Sequence, residues 1–144
     1  MNFAENYKIE QAITPTAGAA GTSDINGATC DLQNADGMIA IVAMGAITAT
    51  AVTSIKLQES DDDSTWADLE GTGVTVADDD DEQIFYLELD RPQSRYARVV
   101  VDRGTANAVV SAAEYITWGR RKVPVTHGAT VSGEINISPD AGTA

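Results

Sequence analysis

The chain has 144 residues, which is enough for one domain with a buried core that needs no disulfide. Its formal net charge of -13 argues against nucleic acid and anionic membranes as direct partners, because both bind basic surfaces. It has one cysteine, Cys30, and one histidine, His127, so an intramolecular disulfide is impossible and a zinc site is nearly excluded.

The N-terminus, MNFAENYKIEQ, lacks a basic region followed by an apolar run, so it predicts no signal peptide. The most apolar segment, residues 38–47, is too short to span a bilayer. The chain also carries no nucleotide-binding, metalloprotease or paired-cysteine motif. We therefore expect a protein that is made and folded in a cytoplasm, has no catalytic site and needs no cofactor.

The first part of the chain predicts an arm followed by strands. Residues 1–22 contain little that could form a core, since Ala, Gly and Thr dominate residues 12–22, and they predict an extended N-terminal arm. Residues 23–33 predict a first strand, and residues 34–37 a turn. The continuous apolar run MIAIVAM, residues 38–44, predicts a strand that is covered on both faces.

The middle of the chain alternates between apolar and polar residues, which is typical of strands with one face in solvent. In residues 54–60, Ile55 and Leu57 face one way and Lys56 and Gln58 the other. Further strands are predicted at residues 66–69, 74–76, 84–89, 95–103 and 109–118. No helix is predicted. Seven or eight short strands with frequent turns favour an all-β fold, an antiparallel β-sandwich of jelly-roll type or a barrel; of these we expect the jelly-roll sandwich.

Residues 120–144 are small and β-branched and include no large apolar anchor, so they predict a C-terminal arm with one short strand at residues 133–138. The predicted organisation is an N-terminal arm (1–22), a sandwich domain (23–119) and this C-terminal arm. We expect the arms to contact neighbouring molecules through Tyr7, Ile9, Ile13, Arg120, Arg121, Lys122, Val123, Val125, Ile135 and Ile137. Two interpretations of the basic run at 120–122 stay open: a solvated linker, or an electrostatic anchor on an acidic neighbour.

The acidic stretch QESDDDSTWADLEG, residues 58–71, is a candidate calcium loop. An EF-hand that begins at Asp61 would have Trp66 where glycine is required and Thr72 where the bidentate Glu is required, so an EF-hand is excluded. Turn-forming acids between two strands favour a hairpin connection instead. A calcium site of another kind is the alternative if residues 61–63 meet a second acidic run, residues 78–82, in space. Its candidate ligands are Asp61, Asp63, Asp78 and Asp80.

Three single residues have both a structural and a functional interpretation. Trp66 and Trp118 are expected to cap the two ends of the core or to lie in an interface, and a carbohydrate platform is the alternative. Cys30 is expected to be a small core residue, because a nucleophilic cysteine would need His127 beside it.

Residues 54–103 carry a family resemblance. Their phrases SIKLQESDDDSTWADLEG and IFYLELDRPQSRYARVVVDRG resemble the small β-sandwich proteins that are encoded in the structural gene clusters of tailed phages. Similar phrases occur in the galactose-binding-like jelly rolls of the discoidin type. The phage resemblance implies a decoration, or cement, protein on the outside of a phage head, or a tail or head–tail-joining protein. The galactose-binding resemblance implies glycan recognition.

We therefore expect a non-enzymatic virion structural protein that stabilises a phage capsid across subunit seams through its arms. Its expected partners are the major capsid protein and copies of itself, with a homotrimer as one candidate assembly. The expected location is the capsid surface, after synthesis in the host cytoplasm. The alternative from another class is a carbohydrate- or calcium-dependent binding module.

Overall fold

The computed structural model describes residues 2–15, 20–138 and 141–143. Within these ranges the chain is nearly all β, with one four-residue helix and eleven strands. Their bounds are α1 (Phe3–Asn6), β1 (Lys8–Ile13), β2 (Ala20–Gly21), β3 (Ile25–Asn26), β4 (Cys30–Asp31), β5 (Gly37–Ile47), β6 (Val52–Ser60), β7 (Ala67–Asp68), β8 (Val74–Val76), β9 (Ile84–Asp90), β10 (Tyr96–Gly104) and β11 (Ala108–Trp118).

The strands form two antiparallel sheets. The first sheet has the order β1-β11-β5-β9, and β2 pairs with β11 beyond the end of β1. The second has the order β3-β10-β6-β7, with β4 also on β10 and β8 also on β6. The pairs β1 and β2, β3 and β4, and β7 and β8 each occupy one position in their sheet, so the chain has eight strand positions. Numbered along the chain, these positions give the orders 1-8-3-6 in the first sheet and 2-7-4-5 in the second. That arrangement is a jelly roll, so the predicted fold is confirmed.

The core lies between the two sheets and follows the predicted alternation. In β5, the side chains of Met38, Ala40 and Val42 are fully buried, and Ile55 and Leu57 of β6 face them from the second sheet's side of the core. Each buried Met, Val, Ile or Leu side chain contributes roughly 1.5–3 kcal/mol to folding. These alternating residues hold the two sheets together and leave the outer faces and sheet edges for contacts with other molecules.

The prediction that β5 is covered on both faces is wrong. Its alternate residues, Ile39 and Ile41, are only half-buried, because the second sheet packs on one face of the first sheet alone. The outer face of the first sheet is therefore moderately apolar and open to solvent. A continuous apolar run cannot show from sequence which of its two faces carries a covering layer.

A buried tyrosine joins the two sheets. The hydroxyl of Tyr115, on β11, accepts a hydrogen bond from the backbone N–H of Val99 and donates one to the carbonyl of Ala28, both at 2.9 Å. β3 pairs with residues 100–101 and β4 with residues 96–97, so Val99 lies at the break between these two short strands. The hydroxyl fills that break. Burial raises the pKa of Tyr115 well above its ordinary value.

The N-terminal segment differs from the predicted extended arm. Residues 3–6 form α1, which is too short to leave a helical periodicity in the sequence. Residues 8–13 form β1 along β11, and this pairing buries Ala12 and Ile13 in the core. Ile13 is 8% exposed, so it is not available as the interface residue that was predicted.

The predicted strand at residues 133–138 is not formed. These residues have no strand partner in the described chain, although their side chains alternate between polar residues and isoleucine. A β-strand requires a partner for its backbone groups, and period-2 alternation alone does not supply one.

Neither tryptophan caps the core. The inward side chain at the end of β11 is that of Thr117, so Trp118 lies on the outer face of the first sheet, against Gly37. Trp66 is half-buried, and the guanidinium of Arg98 lies 4.3 Å from the centre of its ring. Arg98 alternates with the buried Val99 of β10, which places this pair on the outer face of the second sheet.

Cys30 is fully buried, as predicted. Burial is the main reason that its pKa rises to about 12, and the nearby carboxylate of Glu10 raises it further. The backbone N–H of Ile9, and not Cys30, is bonded to His127, so the two residues do not form a nucleophile–base pair.

Candidate interaction surface

The C-terminal segment, residues 120–138, which we call the tail, is attached to the edge of the first sheet. The backbone N–H of Val125 donates to the carbonyl of Glu5, and that of Gly128 donates to the carbonyl of Ile9, both at 2.9 Å. The N–H of Ile9 in turn donates to Nδ1 of His127 at 3.0 Å. We call these three bonds the clasp. It satisfies backbone groups at the outer edge of β1, which would otherwise offer a template for strand pairing.

The clasp depends on a close approach of two backbones. A Cβ atom at Gly128 would lie 3.3 Å from Cα of Glu10, so a larger residue here would have to move away from β1. A turn follows at once, because the N–H of Val131 donates to the carbonyl of Gly128. The tail therefore covers the β1 edge over a short length and then leaves it.

Arg120 fixes the start of the tail to its own chain. Its guanidinium donates to Oγ1 of Thr117 at 3.0 Å and to the carbonyls of Gln33 and Asp31 at 3.2 and 3.0 Å. These contacts link the end of β11 to β4 and the loop after it, and so connect the two sheets. Arg120 is therefore neither part of a solvated linker nor an anchor on a neighbour, which were the two predicted interpretations of the basic run.

The remaining predicted interface residues lie on or beside the tail. The side chains of Arg121 and Lys122 are exposed, and so are those of Val123, Ile135 and Ile137. Ile137 is 94% exposed. The structure therefore leaves these five predicted interface residues exposed.

The predicted contact residues nearer the N-terminus are partly occupied by their own chain. Tyr7 stacks on Phe3, with ring centres 4.5 Å apart, and Phe3 is itself exposed. Ile9 and Val125 are half-buried at the clasp. Between the tail, α1 and β1 lies an open groove of about 520 Å³, whose walls include Ala4, Ile9, Val125, Val131, Ile135 and the charged Glu5 and Glu134. Sequence reasoning missed Phe3 and Glu5, because an isolated four-residue helix has no sequence signal.

The two acidic runs lie at opposite ends of β6. Residues 61–63 follow its last residue, Ser60, whereas residues 78–82 follow β8, which pairs with the beginning of β6 at Thr53. Eight residue steps along a strand separate the ends by about 26 Å. Asp61 and Asp63 therefore do not meet Asp78 and Asp80, and the shared calcium site that was an alternative is not formed.

The acids act instead as turn residues, as the hairpin interpretation predicted. Asp62 accepts hydrogen bonds from the backbone N–H groups of Thr65 and Ser64, which hold its pKa well below the ordinary value. Asp78 and Asp80 likewise accept from the N–H groups of Thr50 and Ala77. Among the described residues, no three His, Cys, Asp or Glu side chains are grouped so that they could hold a metal ion.

The outer face of the second sheet carries a row of bonded polar side chains beside Trp66. The Asp68 carboxylate accepts from Nζ of Lys56 at 2.8 Å and from Nε2 of Gln58 at 2.7 Å. Nε of Arg98 donates a hydrogen bond to the side-chain oxygen of Gln58 at 2.8 Å, and its guanidinium lies over the ring of Trp66. This row holds planar polar groups and an aromatic ring on one open face.

Comparisons with known proteins bear on the fold. No protein-family model matches the chain, and no curated protein matches its sequence. Among solved structures, it is similar to the PBSX exported protein XepA, with a TM-score of 0.54 and 17% identity over 96% of this chain and 45% of that one. It also matches the xylan-binding module CBM15, with a TM-score of 0.42 and 12% identity over 85% of this chain and 96% of that one. The likeness to XepA shows a shared fold, and the chain spans 45% of that protein's length.

No helix in the described part of the chain is long and apolar enough to cross a membrane.

Proposed function

We propose that this chain is a non-enzymatic structural protein of a tailed-phage particle, which binds the outer surface of the capsid through its tail. The observation that carries the proposal is the exposed basic and apolar group formed by Arg121, Lys122 and Val123 on an otherwise acidic molecule. The resemblance of residues 54–103 to phage β-sandwich proteins supports the phage particle, and the fold shared with the PBSX exported protein XepA supports the sandwich.

The proposed mechanism is mechanical. Arg120 and the clasp hold both ends of residues 121–124, so these exposed residues are presented in a defined place at little cost in conformational entropy. The basic pair attracts an acidic capsid subunit, and Val123 adds a small apolar contact. Each contact is weak, but many copies on one shell bind with avidity and join neighbouring subunits across a seam.

Charge reversal of the basic pair tests this mechanism. The double variant R121E/K122E is expected to lose binding to empty, expanded heads of the phage that encodes the chain, measured by co-sedimentation. The matched control is R91E, because Arg91 has an 89% exposed side chain outside the tail. It changes charge at a surface position and is expected to bind as the wild type does.

Three results would contradict the proposal in different ways. Equal binding by R121E/K122E and the wild type would remove the role of the tail. Loss of binding by both variants would show that overall charge decides the interaction. Binding of the wild type to purified tails and not to heads would place the protein in the tail or in the head–tail joint.

A second candidate function is carbohydrate recognition by the outer face of the second sheet. The row of Lys56, Asp68, Gln58 and Arg98 beside Trp66 favours it, because sugars are bound by planar polar groups together with an aromatic ring. A glycan array with the wild type and with W66A would test it. If the wild type binds no glycan on the array, capsid binding stays the better proposal. If W66A binds the same glycans as the wild type, this face is not the binding site.

A further inference from the structure

We propose that the end of the tail, residues 133–138, adds as an antiparallel strand to the free edge of β9 in a second copy of this chain. The inference goes beyond the proposed function, since it concerns contacts between copies and requires no capsid. It begins from the edges of the two sheets, because an exposed strand edge pairs readily with another chain.

In the described chain, three of the four sheet edges are short or partly occupied. The edges of the second sheet consist of strands of two or three residues, which are too short to template a partner. The clasp occupies backbone groups at the edge of β1. β9, by contrast, has seven residues and pairs only with β5 in the described chain. Among the described strands, β9 is therefore the long edge strand without a partner on its outer side.

The open edge of β9 presents both backbone groups and apolar side chains. Met44 donates to the carbonyl of Gln83, so in the alternation of an antiparallel pair the N–H and C=O groups of Ile84, Tyr86 and Glu88 point away from β5. Ile84 is 69% and Tyr86 is 67% exposed. Two large apolar residues on one face of an unpaired edge are the kind of surface that a further strand covers.

The tail supplies a matching segment. Residues 133–138, GEINIS, alternate as a strand does, yet in the described chain they have no strand partner. In the register that places Ile137 opposite Ile84 and Ile135 opposite Tyr86, both apolar pairs share the outer face. Gly133 then lies opposite Glu88, so no two acids oppose each other.

Charge and position favour a second copy as the donor. Residues 120–138 contain three basic residues and one acid, whereas the whole chain has a net charge of -13. The tail is therefore the part of one copy that an acidic neighbour attracts most. In its own chain Gly128 is held outside β1, and a strand added outside β9 would lie five strand spacings away, or about 24 Å across the sheet. The five residues from Gly128 to Gly133 reach at most about 18 Å, so the tail does not reach that edge of its own chain. A contact in which a tail meets a different surface on the next copy is heterologous, and contacts of this kind build a closed ring if the rotation between copies closes and an open filament if it does not.

Disulfide capture between two differently tagged proteins tests the register. Under mild oxidation, I84C mixed with I137C is expected to give a mixed dimer, because facing residues in a strand pair lie within disulfide reach. The control is I84C mixed with V52C, since Val52 is 65% exposed but lies on the second sheet. Cys30 is fully buried and does not compete.

The oligomeric state gives a second, independent measurement. The wild type is expected to have a mass above 15.1 kDa by light scattering, and Y86K is expected to run as a folded monomer, because an edge lysine blocks strand addition. A monomeric wild type without capture above the V52C control would overturn the inference. So would a disulfide in the double variant I84C/I137C that forms only within one chain. These outcomes do not depend on head binding, so they separate this inference from the capsid proposal.

Discussion

Replacement of Tyr115 by Phe should destabilise the sandwich, because it removes a buried hydroxyl with two backbone partners. The side chain is 1% exposed, and its hydroxyl bonds both Val99 and Ala28 at 2.9 Å. In Y115F the N–H of Val99 is left buried at the break between β3 and β4, where no strand residue can replace the hydroxyl. The carbonyl of Ala28 loses the hydrogen bond that the hydroxyl donates.

The expected magnitude follows from these two partners. A buried, unsatisfied N–H costs about 1–3 kcal/mol, and the second bond adds up to about 1 kcal/mol, so we expect a loss of about 1–4 kcal/mol in the free energy of unfolding. For a domain of this size that lowers the melting temperature by about 3–15 °C. Urea unfolding should show a lower midpoint with an unchanged m value.

A matched control is Y86F, because Tyr86 is 67% exposed and its hydroxyl lies at the surface. Y86F should differ from the wild type by no more than about 0.5 kcal/mol. Equal stability of Y115F and Y86F would show that the Tyr115 hydroxyl does not join the two sheets.

Two further predictions concern the clasp and the buried thiol. H127A removes the acceptor of the Ile9 N–H, so hydrogen exchange at Ile9 should become at least several times faster. Exchange at Val99 should stay unchanged. Equal exchange rates at Ile9 in H127A and the wild type would contradict the clasp. The pKa of Cys30 is raised in the folded state to about 12, above an unfolded value of about 8.5–9. This contribution to stability is therefore complete below about pH 8.5 and is lost as the pH rises from there toward 12. Native protein at about pH 8 should react with a thiol reagent only as fast as it unfolds, and rapid labelling without unfolding would contradict the burial.

Much of the fold was predictable because period-2 alternation reports directly on strands. Ile55 and Leu57 are buried and Lys56 and Gln58 are not, as their spacing indicated. The same alternation at residues 133–138 predicted a strand that the described chain does not form, because pairing depends on an edge elsewhere in the fold or in another molecule.

The candidate surface was predictable only in part. The basic run and the isoleucines of the tail were visible in the sequence, but their availability was not. Arg120 is bonded to Asp31 and Gln33, and Ile13 is in the core, while Arg121 and Ile137 are exposed. Composition shows which side chains can make a contact, and only the packing shows which of them are already used.

By itself, the sequence determined the all-β class, most strand positions, the turn-forming role of the acidic stretch and the burial of Cys30, because each depends on local alternation or on residue chemistry. The tertiary structure alone decided that the acidic runs lie at opposite ends of β6, that Tyr115 fills the break at Val99, and that the tail covers part of the β1 edge while β9 has no second strand partner among the described residues. These features depend on contacts between residues that are far apart in the chain, and local pattern does not encode which distant strands become neighbours.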